Sequence, residues 1–514
     1  MRARILMLSA VVAGATAAAP AATTVAAEGT GSSNLEHVLN VPHTTADGSP
    51  GANGSDIEFF EVSYSRGEAV KRFGPKPVDL RPETRTIERR FALAGTTGNG
   101  MHIYDITVPA QTYRASRYDC TANQGDSQIF TRVVDGVTKT YATYTTEDSR
   151  PVAPDHQCAA DLGGEPVDRI GTFVIDVSDP FNPRSVAFID VPEGSHNGTV
   201  HPSGDYFYNS NSSLYPDTVE DGGPGIEYYD ISDLANIRRL GRLALPPVPA
   251  SLGTESHDIT FDAAGDRAYS AALSQGVILD TSDPANPVIV TTWVDPTINV
   301  WHQADPIIVG EGEDARTLLV VEDEVAGATG TGQCPNGGVH VFDVTGDPVV
   351  PAKLGYWNID EARIMAADGS PAAGTCTAHV FRLHTEAGIM TIAYYNGGVR
   401  IVDLGGLVGV GLGERALVPY RGADGEPMTQ LAYHRFPDSN SWAAKTPEIA
   451  ADGSFWLFSN DRSRGLDVYR YDGTADPTAM AQGRWLSATE AATTLTRLPV
   501  AELEASLRFS CVLD

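Results

Sequence analysis

From Ser256 to Val294, apolar and polar residues alternate in four short runs divided by turn-forming residues. Ser256 to Phe261 reads as a strand, and Asp262-Ala-Ala-Gly-Asp266 as the turn after it. Arg267 to Leu273 and Gly276 to Thr281 supply a second and a third strand. Ser282-Asp-Pro-Ala-Asn-Pro287 then turns the chain, because each proline fixes φ while Asp and Asn bond to their own backbone. Val288 to Val294 is the outer strand of the unit. The same unit recurs along the chain. Runs of the form Gly-x-x-x-x-Asp, with β-branched or aromatic residues between their ends, start at Gly100, Gly171, Gly225, Gln275, Gly338, Gly398 and Gly465. Gln275 stands where the fourth glycine would fall, and Arg470 where the seventh aspartate would. Self-similarity at about 50–70 residues predicts an array of one supersecondary unit. Because every unit is all-strand, the predicted fold is all-β: a seven-bladed β-propeller of four-stranded antiparallel blades, with loop insertions on one face.

Counting back from the glycine of each blade's first hairpin brings out a second pattern. His196, His257 and His302 stand eight residues before Gly204, Gly265 and Gly310. His379 takes the same place in blade 6, with Gly388 one residue later, and the count gives Gln128 in blade 2 and Lys445 in blade 7. Blade 1, between Asp56 and Gly100, offers no alignment. The innermost strands of a propeller line its channel, and their starts open on one face together with the loops joining second to third strands. The insertions Glu147 to Ile170, Asn211 to Pro224 and Glu322 to Gly337 fall in those loops. The expectation is a channel mouth lined by histidine and elaborated by loops.

Four imidazoles converging on one axis could hold an ion. Ligation by nitrogen alone from His196, His257, His302 and His379 suits copper(II), with zinc the second choice. Glu322, Asn211, Asn396 and Asn460 end second strands on the same face. Together with Gln128 and Lys445 they are candidates for orienting the ligands or binding a small molecule. A histidine repeated at one position can equally be a latch that joins blades by hydrogen bonds and binds nothing. The residues that follow these histidines, Asn197, Asp258, Gln303 and Val380, are too varied for a uniform latch. No nucleophile elbow, phosphate-cradling glycine loop or dinucleotide fingerprint is present in the sequence.

Charge and cysteine content narrow the setting. Residues 1–27 read as a signal peptide: Arg2 and Arg4, an apolar run from Ile5 to Ala13, then Val25-Ala26-Ala27 as a cleavage site. Export as a secreted protein is therefore expected. Residues 28–54 read as a flexible leader, 55–487 as the propeller, and 488–514 as a tail with a short helix. Either Glu36 to Pro42 or Ala479 to Ser487 could close the ring. Asp and Glu outnumber Lys and Arg by 66 to 36, which argues against nucleic acid and anionic membrane as partners. The partners left are a metal ion, a small molecule or an extracellular protein. The spacing of the five cysteines suggests disulfides Cys120–Cys158 and Cys334–Cys376, leaving Cys511 over.

The runs FVIDVSDPFNP and VILDTSDPANP resemble the LVIVD repeat of exported bacterial β-propeller proteins. The resemblance covers roughly Asp56 to Asp472 and implies the propeller fold, with no agreed activity for the family. A fainter likeness of architecture, without a matching motif, is to the selenium-binding protein and methanethiol oxidase propellers. In those proteins histidines near the central axis are associated with copper. Three functions follow as expectations: a propeller that binds a metal or small ligand, a copper-dependent oxidase of a small reduced substrate, and an extracellular interaction scaffold.

Overall fold

The computed structural model describes residues 29–51, 53–73, 85–147, 152–192, 194–211, 225–249, 251–310, 312, 315–325, 335–360, 376–407 and 426–507. Within them the chain forms seven antiparallel sheets whose strands follow one another from the axis outward, the seven-bladed propeller that the repeat predicts. The inner strands are Gly54–Ser65, Ile129–Val134, Asn197–Val200, Asp258–Phe261, Trp301–Val309, His379–His384 and Ser441–Lys445. Blade 1, which gave no alignment in the sequence, starts at the first of these.

The recurrent aspartate has a local cause. Its carboxylate accepts the backbone N–H two residues on, at 3.1 Å for Asp105, 2.9 Å for Asp176 and Asp230, 3.1 Å for Asp280 and 3.0 Å for Asp343. This bond folds the link between the third and fourth strands. Blade 7 has no such link to fold, because its outer strand, Leu35–Val41, comes from the other end of the chain. Arg470, where the motif loses its aspartate, lies opposite Glu36 in that added strand. The recurrent glycine answers a close approach: at Gly100 and Gly398, φ is 78° and 75°, and a Cβ would collide with the carbonyls of Tyr118 and His434 in the fourth strand. A bulge interrupts the pairing of the third and fourth strands in all seven blades, adding the twist that lets sheets stack around an axis.

The core lies between sheets. Tyr269, Ile278 and Trp293 of blade 4 pack on Trp301, Leu319 and Phe342 of blade 5, with the two tryptophan rings edge to face at 5.3 Å. Of the two ways of closing the ring, Leu35–Val41 is the one used. Gly483–Ser487 instead adds a fifth strand outside Ala352–Ile359 of blade 5. Asn34 fixes the closing segment by donating to the carbonyls of Leu431 (3.0 Å) and Thr474 (2.7 Å). Cys120 and Cys158 form a disulfide, which ties the end of blade 1 to the insertion of blade 2. Cys376 is also disulfide-bonded, while its expected partner Cys334, with Cys511 and residues 1–27, lies outside the described residues. Among the described residues no helix is long and apolar enough to cross a membrane.

Removing residues 1–42 leaves the edge of Gly465–Tyr471 unpaired and uncovers Leu466, Val468 and Tyr469. The truncated protein is expected to melt at a lower temperature and over a broader range, read by circular dichroism. An unchanged transition would show that the closing strand contributes nothing.

Candidate metal and ligand site

Backbone bonds set which residues share a level on the axis. The N–H of His196 donates to Ser210 O (2.7 Å) and that of His257 to Ala271 O (2.8 Å). In blade 2 the corresponding donor is Gly125, to Thr145 O (3.1 Å). Trp301 bonds to Leu273 O of the preceding blade (2.8 Å), as Ser441 does to Tyr395 O (3.0 Å), so Trp442 is the counterpart of His302. The level therefore holds Ser55, Gly125, His196, His257, His302, His379 and Trp442. Gln128 and Lys445 lie three residues further along. In blades 2 and 7 the hairpin glycine stands 11 residues beyond the level instead of eight or nine, so a count of eight from it stops short of the level.

The four histidines form an arc, with neighbouring ring centroids at 4.1, 4.2 and 4.6 Å and Trp442 4.3 Å beyond His379. They line no open mouth: all four are buried, His302 the most accessible at 3%. The C-terminal segment packs at this end, with Leu498 N donating to Asn299 Oδ1 (2.8 Å). Leu503 is buried in one apolar cluster with Leu273, Val300 and Val325.

The rings differ in what their nitrogens do. His257 Nδ1 lies 3.1 Å from His302 O, and His379 Nδ1 2.7 Å from Trp442 O, so both rings latch onto the next blade. Ser55 Oγ repeats the bond to Gly125 O at 2.7 Å. An Nδ1–H donor leaves a lone pair on Nε2, and Nε2 of His257 and of His379 has no hydrogen-bond partner among the described residues. Burial, and then the neighbouring imidazoles, hold both rings far below the usual histidine range, so they are neutral. His302 Nδ1 bonds to Glu322 Oε2 (3.0 Å), with its Nε2 3.5 Å from Glu324 Oε2. Glu324 Oε1 accepts from Tyr395 OH and lies 3.9 Å from His379 Nε2. His196 engages both nitrogens, Nδ1 with Glu147 and Nε2 with Gln124 (3.0 Å). Among the described residues, the one group bringing three potential metal donors within 4.8 Å of each other is His302, Glu324 and His379. Two of the four expected ligands are in it; His196 and His257 stand outside.

Beyond the histidines a cavity of about 290 Å³ follows the inner strands, lined by Asp56, Glu58, Asp126, Asp258, Asp305 and Lys445 among others. Lys445 Nζ bonds to Asp56 (2.6 Å) and Glu58 (2.8 Å), and Arg382 donates to Glu58 (2.6 Å). Burial, then Asp56 and Asp258, push the Asp126 carboxyl up to about 8. Burial first, with Asp258 adding to it, takes Asp305 to about 7. Asp258 is raised by burial as well.

The remaining expected residues divide. Glu322 orients His302, whereas Asn211 accepts from Gly225 N (3.3 Å) and the exposed Asn396 donates to Ser439 O (2.7 Å). Asn460 holds His43 (2.6 Å), away from the arc. Glu147 and Gln124 went unrecognised because they lie at a strand end and in a loop with no repeated spacing; Glu324 belongs to the acidic run Glu322-Asp-Glu324, which suggests at most oxygen ligands for calcium and nothing that ties it to the histidines. The acidic channel did leave a signal: Asp258 and Asn197 directly follow histidines, and Asp305 lies three residues beyond one.

No protein-family model matches the chain, and no curated protein does. Solved structures similar to it include the β-propeller domain of Cps50 (Swd1) from Myceliophteria thermophila. That match has 10% identity and TM-score 0.41, covering 85% of this chain and 99% of that one. A putative 6-phosphogluconolactonase from Bacteroides uniformis matches at 9% identity and TM-score 0.43, covering 77% and 98%. The periplasmic gluconolactonase PpgL of Pseudomonas aeruginosa matches at 11% and 0.44, with the same coverage. They are similar to this chain as propellers.

Two outcomes are expected from this geometry. His257→Ala removes the latch to His302 O and should cost about 1–3 kcal/mol in denaturant unfolding. Asparagine, whose side-chain amide can replace Nδ1–H, should recover most of that loss. Asp126 binds its proton more tightly folded than unfolded, so its contribution to stability is present at low pH and lost as pH rises through about 8. Asp126→Asn should therefore raise the melting temperature at pH 9 and leave it unchanged at pH 4; equal effects at both would contradict this electrostatic reading.

Proposed function

We propose that this chain is an exported LVIVD-type propeller that binds one divalent transition-metal ion at His302, His379 and Glu324. The observation that carries the reading is the convergence of these donors at 3.5 and 3.9 Å, with the other nitrogen of each histidine already engaged. Tetrahedral zinc with bonds of about 2.0–2.1 Å needs ligand atoms about 3.4 Å apart, so small side-chain movements would suffice. Ligating histidines typically donate their other N–H to a carboxylate or a backbone carbonyl, and Glu322 and Trp442 O are placed to receive those bonds. Two imidazoles and a carboxylate suit zinc better than the nitrogen-only copper set expected from four histidines. The ion's remaining positions would face the acidic cavity, whose wall includes both His302 and His379. Export is supported by the disulfides, which persist in oxidising compartments, and by the signal-like start of the sequence.

The test is elemental analysis of full-length protein, as purified and after separate reconstitution with zinc and with copper. One equivalent of metal is expected. His379→Asn keeps a donor for Trp442 O and removes Nε2, so it should abolish uptake with little change in the melting temperature of metal-free protein. Stoichiometric metal in that variant, or none in the wild type after reconstitution, would refute the reading.

A further inference from the structure

The cavity holds more carboxylates than its own cations pair. Lys445 and Arg382 are committed to Asp56 and Glu58. Asp126, Asp258 and Asp305 have no ion-pair partner among the described residues, and they come from blades 2, 4 and 5, spread around the wall. Thr260 (2.7 Å) and Gln303 (3.0 Å) donate to Asp305, and Asp258 accepts from the adjacent Ile259 N (2.8 Å). No three of the channel carboxylates bring oxygens within 4.8 Å of one another, so they do not gather around a compact ion. At the inner end of the same cavity stands the fully buried His379, whose Nε2 lone pair has no hydrogen-bond partner among the described residues. Carboxylates set apart around a narrow polar wall match a ligand that carries positive charge at two separated points.

We propose that the cavity binds a small aliphatic diamine, with its two ammonium groups shared among Asp126, Asp258 and Asp305, its chain lying between them, and His379 at the inner end. The inference deepens the metal reading by naming the ligand beside that site, and it rests on that reading only for what occupies the inner end. A dication would relieve the repulsion among the three carboxylates without displacing the Lys445 and Arg382 pairs. A dicarboxylate would meet that same repulsion, and a neutral diol would leave it in place.

Calorimetric titration of the full chain with 1,4-diaminobutane tests this, in metal-free and in zinc-treated protein, with butane-1,4-diol and succinate as controls. Saturable one-to-one binding of the diamine alone is expected, weakened at least tenfold by Asp258→Asn and by Asp126→Asn, and weakened further by salt. Zinc uptake measured on the same samples separates the two readings. Zinc bound without diamine binding overturns this inference and leaves the metal site standing. Diamine bound by protein that takes up no metal supports the inference and removes the metal. Affinity equal to that of the diol, or unmoved by both substitutions in variants that melt like the wild type, overturns it.

Discussion

Seven strands converging on one axis bring seven side chains to each level, and at the level of Ser55, His196, His257, His302 and His379 most of them are polar. Burying polar groups so close together is costly unless hydrogen bonds satisfy them. Here the convergence itself supplies the partners: each blade's side chain can reach the backbone carbonyl of the next. Ser55, His257 and His379 all use it. The bonds between blades and the layout of the channel thus follow from one constraint.

That constraint joins two roles which look like alternatives in the sequence. An imidazole has two nitrogens on opposite sides of its ring. Spending Nδ1 on a neighbouring carbonyl fixes the tautomer and aims Nε2 as an acceptor. The latch therefore orients a ligand atom rather than competing with it. His201, in the hairpin of blade 3, shows the other result: Nδ1 meets Ser203 Oγ at 2.9 Å and Nε2 meets Gly265 O at 3.0 Å, so no lone pair is left over. Position in the repeat sets His201 apart, but it does not separate His196, with both nitrogens engaged, from His257 and His379; the count of engaged nitrogens does.

How much could be read beforehand depended on whether a feature repeats. The aspartate that folds each outer turn and the alternation of each strand recur, so the blades and their order were legible. The arc of histidines was legible for the same reason, in the four blades where eight or nine residues separate the level from the hairpin glycine. Blades 2 and 7 broke the count because 11 residues separate the level from their hairpin glycine, which put Lys445 where Trp442 belongs. Glu324 could not be found by spacing, since it reaches His302 and His379 from just beyond the second strand of blade 5, outside the count that aligns the inner strands. The choice of Leu35–Val41 over Gly483–Ser487 as closing strand was open in the sequence. Both are short and apolar enough, and only packing against Leu466 and Val468 distinguishes them.

Closure by Leu35–Val41 also bears on the order in which the molecule can assemble. Asn34 meets Thr474 across 440 residues, and the loop-closure cost of such a span is roughly 5 kcal/mol before any local constant. The segment that seals the ring is among the earliest made, yet its docking edge is among the last. Throughout synthesis it is an unmated strand, exposed to capture by other chains. Its charged Glu36 and polar His37 and Asn40 make it a poor template for such pairing. The finished circle is thus guarded, before it exists, by the composition of its own seam.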